Sequence, residues 1–252
     1  MPAGAEKALA WDDRLGEAYA ALATYRALFD FDWAGAESAF AQALAAEPGS
    51  PALLRTHVAC LLAPTSRLEA AEEEAARALE SDPLCPDAHF LMALVLFFRH
   101  QYDRAQASIR ASLELESANP FVQWLDGVIA VLQGRFDEAI STCEGAVRVF
   151  GRAPMLSAAL GAVYGWSGRA AQARQMLQEV EQAALVAYVS PIYRAWVYMG
   201  LGEVDNAFHW LDRAVECRDP HILHLPVKPI YDTLRPDPRF TTLLRKMRLP
   251  EC

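Results

Sequence analysis

Lysine is scarce in this sequence: Lys7, Lys228 and Lys246 are all there is, and the formal net charge is −9. A nucleic-acid surface needs a basic stripe, so no direct nucleic-acid contact is expected. Arg235, Arg239, Arg245, Lys246 and Arg248 do cluster near the end, and they read as the solvated face of a terminal helix. Long apolar runs are missing too. The longest, Leu91 to Phe98, has eight residues and is too short for membrane insertion. Met1 to Ala10 lacks the basic start and apolar stretch of a leader. The five cysteines are odd in number and form no paired framework, which fits a reducing compartment and a cytoplasmic location.

Catalytic signatures are absent as well. There is no phosphate-cradling glycine loop, no zinc-protease helix and no nucleophile elbow. Asp and Glu are scattered over turns and helix surfaces, so the expectation is no enzyme and no cofactor. Cys217, His221 and His224 come nearest to metal-ligand spacing. Zinc asks for four ligands, usually with a tighter cysteine pair, so no metal is expected there.

What the sequence does have is a period. Gly134, Gly168 and Gly202 stand 34 residues apart, and so do Ala71, Ala105, Ala139, Ala173 and Ala207. Ala59, Ala93, Gly127, Gly161 and Ala195 keep the same step, as do Pro86, Pro120 and Pro154. Fixed-period self-similarity is the mark of stacked repeats. Within one repeat, Asn119-Pro120 offers an N-cap and a first-turn proline. Phe121 to Leu132 predicts a helix buried on more than one side. Gly134 supplies the left-handed turn, and Phe136, Ala139, Ile140, Cys143, Ala146 and Val147 place a second helix over Arg135 to Phe150. Small residues at Gly127 and Ala139 let the two helices approach closely.

The spacing resembles the tetratricopeptide repeat (TPR) family, carried by Ala59, Ala71, Ala78 and Pro83 in one repeat and by Gly127, Ala139 and Ala146 in another. Gly151 replaces the family's proline in the latter. The first repeat matches through Ala23, Ala36, Ala43 and Pro48, with one extra residue assigned to the Phe29-Asp30-Phe31-Asp32-Trp33 turn. The resemblance implies an all-α fold: a right-handed superhelix of about six helix-turn-helix repeats with a C-terminal capping helix. Residues 1–12 read as the end of a preceding repeat or an N-terminal cap, truncation of a longer array being favoured. Residues 13–219 read as six repeats in one solenoid, and 220–252 as a proline-rich segment with the capping helix. In the second repeat Ala63-Pro64-Thr65-Ser66 replaces the glycine turn, with Ser66 as the expected N-cap. The tail from Arg235 to Met247 resembles the closing segment of a bacterial TPR group often fused behind a cyclase, a serine/threonine kinase or a winged-helix regulator. Phe29 to Ala36 and Tyr188 to Pro191 resemble the same group.

In this family the first helix of each repeat lines the concave face. The lining read across repeats two to six includes Leu53, Thr56, Phe90, Leu94, Phe97, Phe121, Trp124, Val128, Met155, Ala158, Ala162, Gly165, Val189, Ile192 and Trp196. The lysine–asparagine–arginine clamp for a C-terminal carboxylate is missing. Two readings stay open: a groove used by a partner, or a lining already covered by curvature or by the C-terminal segment. The first makes the chain a non-catalytic scaffold binding a protein or peptide with an apolar segment, the interaction or sensory part of a bacterial regulator with a fused effector. A small-molecule sensor and an oligomerisation module are the alternatives. Ala158, Ala162 and Gly165, set between Phe121, Trp124, Ile192 and Trp196, predict an open hollow.

Overall fold

Seven α-helices among the described residues begin on a proline, a residue suited to a first helical position because the N–H it lacks would have no partner there. The computed structural model describes residues 2–11, 15–117 and 119–249, and every regular element among them is helical. Two compact units partition the chain.

The first unit holds α1 (Pro2–Trp11), α2 (Gly16–Tyr25), α3 (Trp33–Ala46), α4 (Pro51–His57), α5 (Leu68–Ser81), α6 (Pro86–Phe98) and α7 (Tyr102–Leu115). It also takes in Leu223–Lys228 and residues 244–249. Helices α2 with α3 and α6 with α7 pack as hairpins. A core of small side chains, Ala23, Ala27, Ala36, Ala39 and Ala43, closes around Phe40 and Leu61. Glu74, buried on α5, pairs with His57 at 2.9 Å and Arg77 at 3.1 Å.

Two first helices continue as π-helical turns, Arg26–Asp30 after α2 and Val58–Leu62 after α4. The cause is countable. Pro51 to Ser66 spans one residue more than Pro86 to His100 or Pro120 to Gly134, and a π turn absorbs an extra residue without unpairing the helix. Gly16 to Phe31 has the same surplus. The additional residue of the first repeat therefore sits in Arg26–Asp30, just ahead of the turn to which the spacing assigned it.

The second unit holds α8 (Pro120–Leu132), α9 (Phe136–Phe150), α10 (Pro154–Trp166), α11 (Ala170–Ala184), α12 (Pro191–Gly200) and α13 (Val204–Glu216). Residues 229–243 belong to it, including the start of α14 (Pro238–Lys246). Helix α12 starts three residues later than the register requires, because Ser190 precedes Pro191 and is held extended at φ −51°, ψ 128°. Proline disfavours the helical region for the residue before it. Tyr188 and Val189 are thereby left outside the helix into which the register put them.

The turn between paired helices repeats in detail. Phe31, Ser66, His100, Gly134, Gly168 and Gly202 all have positive φ, from 50° at Phe31 to 79° at Gly168. After Gly134 the Arg135 N–H donates to the Ala130 carbonyl at 2.8 Å, the Schellman closure of a helix end. Ser66 is thus the left-handed residue and not an N-cap: α5 is preceded by Arg67, whose side chain makes no cap. A non-glycine residue there costs about 1–2 kcal/mol, against about 0.5–1 kcal/mol for the extra freedom glycine has when unfolded. Ser66→Gly is expected to stabilise the protein by about 0.5–1 kcal/mol, and Gly134→Ala to destabilise it by a similar amount. Urea midpoints that fail to move in opposite directions would refute this account of the turns.

Candidate interaction face

The inner-face positions divide into a covered group and an uncovered one. In the second unit Trp124 stacks on Trp196 with ring centroids 5.5 Å apart and planes 21° from parallel. The Trp196 indole N–H donates to the Tyr231 hydroxyl at 3.1 Å, and Tyr231 is fully buried. Ile230, its neighbour, closes the same space together with Val128 and Ala162. The cavity left there is about 10 Å³, at or below what one water molecule needs. The expectation of an open hollow is overturned on this point. The small residues serve helix contact instead: a Cβ on Gly165 would lie 2.4 Å from the Gly200 carbonyl carbon. Ala158 and Ile192 are also completely buried. Cys143 lines the remnant, and burial, reinforced by Asp126 and Glu144, pushes its thiol up to about 12, so it is a packing group at neutral pH.

In the first unit Phe97 is buried, whereas Phe90 and Leu94 on the same helix are partly exposed. The segment Leu223–Lys228 anchors there. His224 Nε2 donates to the Ala59 carbonyl at 2.8 Å, and its ring meets Phe98 at 5.2 Å. That carbonyl is available for a local reason. It lies in the π turn, and the residue five positions on, Pro64, has no N–H to return. Trp33 Nε1 donates to the Met247 carbonyl at 2.8 Å. The Phe29–Trp33 stretch and the C-terminal tail, two features read separately in the sequence, therefore meet in one contact.

The three residues with metal-like spacing are engaged elsewhere. His221 Nδ1 pairs with the buried Asp219 at 3.0 Å, His224 binds Ala59, and Cys217 lies against the Ala214 carbonyl. Among the described residues no cluster has metal-ligand geometry. Burial pushes the Asp219 carboxyl up, but hydrogen bonds from His221, Ser190 and Tyr188 outweigh it and hold the group below its ordinary range.

Two hollows of about 400 Å³ or more stay open among the described residues. One is a rim of the second unit where Phe121, 50% exposed, and Tyr188, 73% exposed, flank a hollow of about 400 Å³ with Met155, Val189 and Tyr193. Of the lining positions read in the second unit, Phe121 thus stands apart from Trp124, Val128, Ala162 and Trp196. The other is a channel of about 420 Å³ between α2 and α4 in the first unit, walled by Ala20, Thr24, Tyr25, Phe29, Ala52, Leu53 and Thr56. Leu53 and Thr56 are lining positions in the sequence register. The α2 side was missed because the count began at the second repeat, and carrying it back to Glu17, Ala20 and Thr24 would have found it.

A tetratricopeptide repeat family model matches residues 90–154. No curated protein sequence matches the chain. A solved TPR protein from Parabacteroides merdae is 14% identical, with 98% of this chain and 91% of that one covered at a TM-score of 0.68. PilW, described as a type IV pilus biogenesis factor, is 14% identical over 87% of this chain and 97% of its own, at 0.60. A thermophilic TPR protein of Thermus thermophilus is 15% identical over 68% and 91%, at 0.59. At such identities the likeness concerns the fold. No helix among the described residues is long and apolar enough to cross a membrane.

Proposed function

We propose that this chain, in which a tetratricopeptide repeat model matches residues 90–154 and whose fold is like that of solved TPR proteins, is a non-catalytic scaffold binding a partner through the inner-face stretches its own C-terminal segment leaves open. The observation that carries this is the contrast between a cavity of about 10 Å³ at the Trp124–Trp196 stack and a channel of about 420 Å³ between α2 and α4. Concave, solvent-open apolar surface is what interaction sites use. The partner is a protein with an apolar segment. On the likeness of Phe29–Ala36 and Arg235–Met247 to one bacterial group, the chain serves as the interaction part of a regulator that carries an effector domain. We place it in the cytoplasm on its unpaired thiols, Cys60, Cys85, Cys143 and Cys217. The size of the channel also favours a second reading, a small apolar ligand in the same place.

Ala52 is exposed on the first turn of α4 and lines the channel, so Ala52→Trp is expected to block it while leaving the melting temperature within about 2 °C, as surface changes do. A partner bound by the wild-type chain should bind Ala52→Trp at least tenfold more weakly. Equal binding to both would end the proposal. Native mass spectrometry separates the two readings, since a copurifying small ligand would add mass to the wild-type protein and none to Ala52→Trp.

A further inference from the structure

Two carboxylates line the α2–α4 channel, Glu17 and Glu47, and no basic side chain lines it. Arg26, just past the far end of α2, is turned away, its guanidinium donating to the Gly35 carbonyl at 2.9 Å. Several other carboxylates of the first unit are matched to cations, although exposed ones such as Glu73 and Glu80 are not among them. Glu37 pairs with Arg67, Glu72 with Arg99 and Arg104, Glu74 with His57 and Arg77, and Asp87 with Arg55. Glu17 and Glu47 have no ion pair among the described residues. Glu47 lies across the start of α2, so close that a Cβ on Gly16 would come within 2.6 Å of its Oε1. Tyr25 and Phe29 stack in the same wall, with centroids 5.1 Å apart.

We infer that this channel takes a segment of a partner protein presenting a lysine or arginine beside apolar side chains. The inference rests on the scaffold reading and specifies the chemistry of its partner. A long basic side chain lays its methylene stem on apolar surface and keeps its charge at the edge, which suits Ala20, Ala52 and Leu53 with carboxylates beside them. The attraction strengthens as water is displaced from the channel. The faces of Tyr25 and Phe29 offer the same cation a second favourable contact. A partner ending in a carboxylate meets like charge instead.

The test uses the full chain and three labelled 14-residue amphipathic peptides, one of leucine and lysine, one of leucine and arginine, and one of leucine and glutamate. Binding is followed by fluorescence anisotropy at 50 and 300 mM NaCl. The two basic peptides should bind, more weakly at the higher salt, and the acidic one at least tenfold more weakly than either. Glu17→Gln/Glu47→Gln should weaken the basic peptides about five- to tenfold. Glu73→Gln/Glu80→Gln removes the same charge from exposed positions outside the channel and should leave binding within twofold. Basic peptides that fail to bind, or an acidic peptide that binds as well, would overturn the inference. Loss of binding in Ala52→Trp with none in Glu17→Gln/Glu47→Gln would keep the site and reject its charge preference. Unchanged binding in Ala52→Trp would reject the site itself.

Discussion

Tyr231→Ala is expected to lower the unfolding free energy by about 3–5 kcal/mol, the range for removing a fully buried aromatic ring. The ring lies wholly inside the second unit and its hydroxyl accepts from Trp196. The residue belongs to a proline-rich segment that could pass in the sequence for an appendage, so the size of the loss is diagnostic. Urea denaturation of wild type, Tyr231→Ala and Tyr231→Phe would measure it, with the phenylalanine variant separating ring from hydroxyl. A loss below about 1 kcal/mol, the scale of a surface change, would mean that the segment is not integral to the core.

Gly165→Ala is expected to cost about 1–3 kcal/mol, as overpacking does, although alanine is by itself the better helix former by about 1 kcal/mol. The added methyl would meet Gly200 backbone at 2.4 and 2.7 Å and the Leu201 nitrogen at 2.8 Å. Backbone cannot rotate aside as a side chain does, so α12 must move. Gly200→Ala makes the reciprocal clash, 2.4 Å from the Ala162 carbonyl oxygen, and the double variant should be less stable than either single one. Thermal melts that rise for Gly165→Ala would restore the open hollow that the run of small residues suggests.

The two variants test different kinds of information. The turns, the helix pairs and the fully buried Ala71, Ala105, Ala139, Ala173 and Ala207 were legible because repeats interact with their nearest neighbours, and a fixed sequence step reports such contacts directly. The π turn at Arg26–Asp30 was half legible: the surplus residue could be counted, but not where the backbone would absorb it. The proline that opens α12 could have warned that Tyr188 and Val189 leave the helix, as they do on their way to Asp219, which Tyr188 reaches at 2.8 Å.

The sequence by itself determined the repeat, the helical register and the apolar character of the positions around Trp124, Val128, Ala162 and Trp196. Tertiary structure alone decided what occupies the space they share. Trp33 meets the Met247 carbonyl 214 residues away, His224 finds the Ala59 carbonyl 165 residues away, and Tyr231 comes to Trp196 from outside the periodic region. No period records contacts of that span. They are chosen by volume and by hydrogen-bonding groups left over locally, such as the carbonyl facing Pro64 or the indole of Trp196. Burying apolar surface is non-directional, so a run of apolar residues can announce that it will be covered without naming its cover.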